Sequence, residues 1–283
     1  MTVLPLLPVE PTFLQWRGHA VARYSAGGGR PVLLVHSINA AASAFEMRGP
    51  FRGLADRFAV HAIDLLGYGN SERPARSYVA NDYISQIELA LDVLSEPVSV
   101  VASSLGAAYA VAAAARRPER VRALVLVCPT GIQRLANPPG PRAWAAYRVL
   151  RGPVGRALFA GLTTRAGVRY FLQTQAYHHP AAITDEVLDG FYETCHRSGA
   201  SYAPICFLSG LLNCPIREAF ASLPMPVLLV WGRQAVTTPP GDADAFLAAN
   251  PRAHLELIDG ASLLVQDEHP ERFNALVRSF LSA

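Results

Sequence analysis

The sequence predicts an α/β protein whose mostly parallel sheet is covered by helices. Six short aliphatic runs, each about as long as a strand, alternate with longer stretches that carry apolar residues at helical spacing. The runs are almost continuously hydrophobic, which is typical of parallel strands buried on both faces. They cover residues 31–38, 58–65, 97–104, 121–128, 226–232 and 253–259.

The N-terminal region and the intervening segments complete this architecture. Residues 12–17 and 19–25 favour an antiparallel pair at one edge, which brings the expected sheet to eight strands. Pro270 suits the first turn of a C-terminal helix. Proline has no backbone N–H, and an N–H at that position would have no acceptor within the helix. Helices are expected over residues 79–95, 105–116, 241–250 and 270–282.

One long interval carries no strand signal. From about Ala136 to Leu223 the chain shows only proline and glycine punctuation and helical patterns. Such an insertion between two core strands is typical of a helical cap. We therefore expect a core of residues 1–135 and 224–283 and a cap of residues 136–223. The helical patterns in the cap run near 142–151, 154–174, 183–197 and 201–212.

The composition excludes several classes of function. With 283 residues, 51% of them hydrophobic, the chain can bury a large core. The net charge of +3 comes from arginine, because the sequence contains no lysine, and this excludes a lysine base or Schiff base. The arginines are scattered along the sequence, so no nucleic-acid partner is expected.

The cysteines and the N-terminus favour one cellular compartment. The cysteine spacing fits neither a disulfide framework nor a zinc site, which favours a reducing compartment and predicts no metal. The apolar N-terminus lacks a basic region, and no stretch is long enough to span a membrane. We expect a cytoplasmic monomer or homodimer without a cofactor. The cysteines are Cys128, Cys195, Cys206 and Cys214.

A serine stands between a predicted strand and a predicted helix. Residues 100–110 read VVASSLGAAYA. A nucleophile elbow is a sharp strand-to-helix turn, and it needs small residues two positions before and after its serine. Ser104 meets this requirement with Ala102 and Gly106, whereas Ser103 would place bulky aliphatic residues at both positions. The pattern therefore predicts Ser104 as the nucleophile position.

With this elbow, the chain resembles the α/β-hydrolase superfamily, in particular its capped branch of esterases, epoxide hydrolases and haloalkane dehalogenases. The resemblance covers nearly the whole chain, and the segments that carry it are VLLVHSINAAASAFEMRG, IDLLGYGNSERP, RRPERVRALVLV and EHPERF. The resemblance implies the eight-stranded α/β-hydrolase sheet. It also implies an oxyanion hole formed by the backbone amides of Ile38 and Leu105.

The same resemblance shows where this sequence departs from the family. The acid of the family's Ser-Asp-His triad follows the strand PVLLVWG, and here Ala235 occupies that place. The family's histidine ends a Gly-x-Gly-His stretch, and here Leu263 occupies its place. A serine hydroxyl is a poor nucleophile at neutral pH unless a base takes its proton. We therefore expect a degenerate triad in which Ser104 lacks its usual relay.

Several other residues are candidates for the pocket, each with a structural alternative. A histidine at the end of the strand before the oxyanion loop is usually packed and hydrogen-bonded, and a cysteine that ends a strand usually packs in the core. Polar side chains of the cap also suit an ordinary helix surface. The candidates are His36, Ser37, Cys128, Tyr177, His178, Tyr192 and His196.

Three charged residues near the oxyanion loop have structural explanations. Glu46 and Arg48 are expected to form a charged pair. Asp64 ends a strand in the Gly-x-Gly segment, where stabilisation of the loop is its expected role.

Two functions from different classes fit these observations. The first is a divergent enzyme, of hydrolase or lyase type, that acts on an apolar carbonyl or ester-type molecule through a retained oxyanion hole. It would have weak or no ordinary esterase activity. The alternative is a non-catalytic pseudo-hydrolase that binds an apolar small molecule as a receptor or carrier. Retention of Ser104 does not separate them, because a strained turn can persist for structural reasons.

Overall fold

The computed structural model describes residues 3–282, and it contains one mixed sheet. Its strands are β1 (Thr12–Trp16), β2 (His19–Ala26), β3 (Pro31–Val35), β4 (Ala59–Ile63), β5 (Val98–Ser103), β6 (Val121–Val127), β7 (Val227–Gly232) and β8 (His254–Ile258). Their order across the sheet is β1-β2-β4-β3-β5-β6-β7-β8. β1 and β2 are antiparallel, β2 is antiparallel to β4, and all other neighbours are parallel. The predicted fold class is confirmed.

The hydrophobic runs form the centre of this sheet. Every residue of β3, β5 and β7 is buried. Strands covered on both faces have no solvent-facing side, so their sequences show no alternation of polar and apolar residues. At the edge, the first four residues of β8 alternate between exposed and partly buried, because successive side chains point to opposite faces of the sheet and one face is more exposed there.

Helices flank the sheet, and α1 packs against α12 while α2 packs against α3. The helices are α1 (Arg48–Leu54), α2 (Ala80–Asp92), α3 (Ser104–Arg116), α4 (Pro141–Leu150), α5 (Pro153–Leu162), α6 (Arg165–Phe171), α7 (Asp185–Cys195), α8 (Tyr202–Leu208), α9 (Arg217–Ala221), α10 (Ala243–Ala249), α11 (Val265–Glu268) and α12 (Pro270–Ser282). Within residues 3–282, no helix is long and apolar enough to cross a membrane.

The chain between β6 and β7 forms helices and no strand in the described structure. The helix expected over 154–174 is divided into α5 and α6. The Thr164 side chain accepts a hydrogen bond from the Gly167 N–H at 3.0 Å and so begins a new helix. A π-helical turn, Leu172–Ala176, follows α6 directly. The assignment of 136–223 as a separate cap remains a prediction.

Candidate active site

Ser104 lies at the turn from β5 into α3, and its backbone is strained. Its φ is +52°, in the left-handed region that residues with a side chain rarely adopt. Strain of this kind is concentrated at functional sites, where the surrounding structure holds it in place. A Cβ atom at Gly106 would meet the backbone oxygen of His36 at 2.1 Å, so only glycine permits this close approach of α3 to the end of β3.

A cavity of about 300 Å³ lies against Ser104. Ser37, Ile38 and Leu263 are the other predicted site residues on its wall. The remaining lining residues are Asn39, Thr130, Arg134, Leu135, Phe171, Gln175, Phe207, Thr237 and Thr238. Among these described lining residues there is no histidine and no carboxylate, so the cavity offers Ser104 no side chain of the usual base type. Arg134, its one ionisable lining residue, pairs with Asp242 at 2.7 Å.

A second cavity of about 300 Å³ adjoins the first. The two share Asn39, Phe171, Gln175 and Phe207 on their walls, so they are neighbouring parts of one hollow. The second part is more apolar and reaches the surface, where Leu162 and Leu208 are exposed. The hollow therefore suits a ligand with an extended apolar portion.

The loop after β3 carries a backbone donor without an acceptor, at a residue that lines the cavity. Within the described residues, the N–H of Ile38 has no hydrogen-bond acceptor. Leu105 lies in the first turn of α3, where helix amides lack partners inside the helix. Ile38 lines the same cavity as Ser104, and Leu105 follows Ser104 in the chain but is not among the described lining residues, so the oxyanion hole implied by the resemblance stays a prediction.

Glu46 stabilises the loop after β3 through hydrogen bonds. Its carboxylate accepts hydrogen bonds from the Ser37 N–H at 2.9 Å, the Ser37 hydroxyl at 3.0 Å and the Asn39 side-chain amide at 2.8 Å. The expected pair with Arg48 was wrong, because Arg48 instead forms an ion pair with Asp267 at 2.6 Å. Full burial raises the pKa of Glu46 to about 7, although its hydrogen bonds favour the charged form.

The raised pKa of Glu46 predicts a pH-dependent contribution to stability. The folded protein binds this proton more tightly than the unfolded chain, so Glu46 favours folding below its ordinary pKa of 4.5 and loses that contribution as the pH rises to about 7. Between pH 4.5 and 7.5, we expect the parent to lose about 2–3 kcal/mol of unfolding free energy relative to Glu46→Gln. Urea unfolding of both proteins at several pH values measures this difference, and parallel pH profiles would contradict it.

Asp64 stabilises the same region from a second direction. It is fully buried and accepts hydrogen bonds from the Tyr24 hydroxyl, the Ala44 N–H and the Asn70 N–H, each at 2.7 Å. These bonds join β2, the turn before α1 and the loop after β4. The arrangement agrees with the loop-stabilising role expected for Asp64.

His36 is held as a neutral, structural residue. Its Nδ1 lies 2.6 Å from the Ser37 carbonyl oxygen, and its Nε2 accepts the Leu65 N–H at 3.0 Å. Both ring nitrogens are therefore occupied, and burial lowers the pKa of His36. It is not among the residues that line the Ser104 cavity.

Cys128 follows β6 in a left-handed conformation, with φ at +42°. Burial raises the pKa of its thiol to about 12, so the thiol stays protonated at neutral pH. Like His36, it is absent from the described wall of the cavity. Its full burial and its absence from the cavity wall favour the core-packing alternative.

The cap candidates have partners away from Ser104. The buried hydroxyl of Tyr177 donates to Asp267, and the N–H of His178 donates to Glu268 at 2.8 Å. Tyr192 and His196 stack with ring centroids 3.9 Å apart, and His196 is exposed. None of these four side chains is among the described residues that line the Ser104 cavity.

Ala235 and Leu263 lie on two loops that are tied together. Gln234 Oε1 accepts the N–H groups of Gly260 at 2.9 Å and Ala261 at 3.2 Å, which holds the segment after β7 against the loop after β8. Both Ala235 and Leu263 are buried, and Leu263 forms part of the cavity wall. The structure thus brings together Ser104, Ser37, Ile38 and Leu263. The other lining residues were not predicted from the sequence, because they carry no local motif.

Comparisons with known proteins agree with this architecture. A model of the alpha/beta hydrolase family matches residues 32–276. The chain is 29% identical to an uncharacterised protein of Mycobacterium bovis, over 98% of this chain and 83% of that one. It is 28% identical to 2-hydroxymuconate semialdehyde hydrolase of Pseudomonas putida, over 94% of this chain and 92% of that one.

A third curated relative and a solved structure extend these matches. The pimeloyl-[acyl-carrier protein] methyl ester esterase of Neisseria meningitidis is 28% identical, over 89% of this chain and 93% of that one. The CarC serine hydrolase involved in carbazole degradation superposes with a TM-score of 0.80 at 22% identity, covering 96% of this chain and 98% of that one. This likeness concerns the fold alone. Since the family model covers most of the chain, the protein belongs to the alpha/beta hydrolase family.

Proposed function

We propose that this protein is a divergent enzyme that acts on an apolar carbonyl or ester-type small molecule and has weak or no ordinary esterase activity. The observation that carries the proposal is the placement of Ser104, on a strained elbow, and the free Ile38 N–H against one cavity. Two relatives, named a semialdehyde hydrolase and a methyl ester esterase, support a carbonyl compound as the substrate class.

The expected weakness of ester hydrolysis follows from the missing relay. In our proposal, Ala235 and Leu263 stand where the family has its acid and its histidine. An oxyanion hole and substrate binding still supply about 10³- to 10⁴-fold acceleration over water when a triad is lost. Such a site suits a carbonyl compound that eliminates, decarboxylates or cyclises, because these reactions need a stabilised oxyanion more than an activated serine.

An esterase assay with an active-site probe tests this proposal. We expect the parent to hydrolyse p-nitrophenyl acetate and butyrate within about tenfold of the Ser104→Ala variant, since no base activates the hydroxyl. A fluorophosphonate probe should likewise leave Ser104 largely unlabelled. Stoichiometric labelling that Ser104→Ala abolishes would contradict the degenerate triad and require a base that we have not assigned.

The alternative function, binding without catalysis, is favoured by one specific observation. Leu263 places an aliphatic side chain on the wall beside Ser104, and the adjoining hollow is lined by further apolar residues such as Leu162 and Val168. Native mass spectrometry of the freshly purified protein would reveal a retained apolar ligand. If that compound is released chemically unchanged after long incubation, the binding function replaces the enzymatic one; its conversion by the parent supports the enzyme.

A further inference from the structure

A larger cavity, of about 540 Å³, lies away from Ser104. It is lined by residues of α4, the start of α5, the start of α8 and residues 75–77. It shares no lining residue with the cavity at Ser104. We call it the arginine cavity.

Four arginines line the arginine cavity and give it a strongly positive character. They are Arg76, Arg148, Arg151 and Arg156, and no Asp or Glu is among the described lining residues. Arg76 pairs with Asp82 at 2.9 Å. The other three have no carboxylate partner in the described structure. A concave site with uncompensated charge of one sign focuses its field and attracts ions of the opposite sign.

The local sequence provides no internal counter-charge for these groups. From residue 120 to residue 184 the chain contains nine arginines and no Asp or Glu. Arg148 lies in the last turn of α4, Arg151 directly follows that helix, and Arg156 lies on α5. Like charges that line one cavity repel one another. A bound polyanion would relieve this repulsion.

Aromatic side chains form another part of the wall. Trp144 and Tyr147 stand edge to face on α4 with ring centroids 6.0 Å apart, and Tyr202 faces the cavity from α8. Trp144 is 41% exposed and Tyr202 is 38% exposed. Large aromatic faces that border a cavity and remain in water are available to stack on a planar ring.

We infer that the arginine cavity binds a nucleoside di- or triphosphate. The guanidinium groups of Arg148, Arg151 and Arg156 match phosphate oxygens, with which arginine forms paired, charge-assisted hydrogen bonds. The base stacks on Trp144 or Tyr202. The volume of about 540 Å³ lies within the range of small-molecule sites. This inference is independent of the proposed function, because none of these residues lies at Ser104.

Calorimetric titration of the full chain with ADP in about 150 mM NaCl tests the inference. We expect binding with a Kd below about 1 mM. Arg148→Glu/Arg151→Glu should weaken it at least about tenfold. The control Arg57→Glu/Arg122→Glu makes the same charge change at two exposed arginines outside the cavity, and it should bind ADP like the parent. Ser104→Ala should also bind normally.

A second comparison separates base recognition from phosphate recognition. The parent should bind ADP at least about fivefold more tightly than inorganic pyrophosphate, and Trp144→Ala should reduce this preference. The inference is overturned if ADP does not bind, if both double variants weaken binding equally, or if pyrophosphate and heparin bind as well as ADP. Each of those results would show only a general attraction of anions to a basic surface. Thermal unfolding of every variant confirms that it is folded.

Discussion

A chain that carries both Ala235→Asp and Leu263→His should hydrolyse p-nitrophenyl butyrate about 10²- to 10⁴-fold faster in kcat/KM than the parent. The new imidazole would stand on the cavity wall that already holds Ser104 and take the proton of its hydroxyl. The new carboxylate would orient that imidazole. The hydrogen bonds of Gln234 to Gly260 and Ala261 hold the two loops together, which favours an encounter of the two new side chains.

The single variants and a triple variant act as controls. Leu263→His alone should give part of the gain, and Ala235→Asp alone should give none, because a carboxylate without a histidine cannot activate the serine. Adding Ser104→Ala to the double variant should return the rate to the parent level. A folded double variant that is no faster than the parent would contradict our assignment of positions 235 and 263 to the acid and the histidine.

Replacing Asp64 with alanine should cost about 3–5 kcal/mol of unfolding free energy. The substitution removes a fully buried acceptor and leaves the Tyr24 hydroxyl and the N–H groups of Ala44 and Asn70 without their partner. Buried donors that lose their acceptor retain the cost of their desolvation. Urea unfolding at neutral pH measures the loss.

Asp56→Ala provides the matched control for Asp64. Asp56 is likewise a hydrogen-bond acceptor, and its partner is the Arg278 side chain at 3.0 Å. In contrast to Asp64, the Asp56 side chain is 56% exposed. A surface ion pair of this kind contributes at most about 1 kcal/mol, so Asp56→Ala should be nearly neutral. Equal losses for the two variants would show that Asp64 does not organise the loops. The conservative variant Asp64→Asn should lose an amount of unfolding free energy between those of the two alanine variants.

The core strands could be predicted closely from the sequence. The run 226–232 became β7, Val227–Gly232, and the run 121–128 became β6, Val121–Val127. These strands are buried on both faces, and such strands are recognisable in the sequence as runs of consecutive hydrophobic residues. The division of the helix over 154–174 was not predicted, because the helical periodicity continues through the point where Thr164 begins α6.

The candidate site was predictable only where it has a local motif. Ser104 was identified from the spacing of small residues around it, and its φ of +52° agrees with the sharp turn that this spacing serves. Thr130, Gln175 and Thr237 lie on the same wall but come from three separate parts of the chain. No short-range pattern marks them, because their proximity depends on how the loops meet.

The sequence by itself determined the sheet, the strand-to-helix turn at Ser104 and the residues Ala235 and Leu263 that follow β7 and β8. The strands and the turn depend on side-chain size or hydrophobicity within a few consecutive residues, whereas positions 235 and 263 were identified through the resemblance to the family. Only the tertiary structure decided which polar groups face the cavity and which, like His36, are occupied by buried hydrogen bonds. It also brought Arg76 to the cavity that Arg148, Arg151 and Arg156 line, although about 70 residues separate Arg76 from them in the sequence. Electrostatic attraction and cavity shape depend on distances in space, and packing of the whole chain sets those distances.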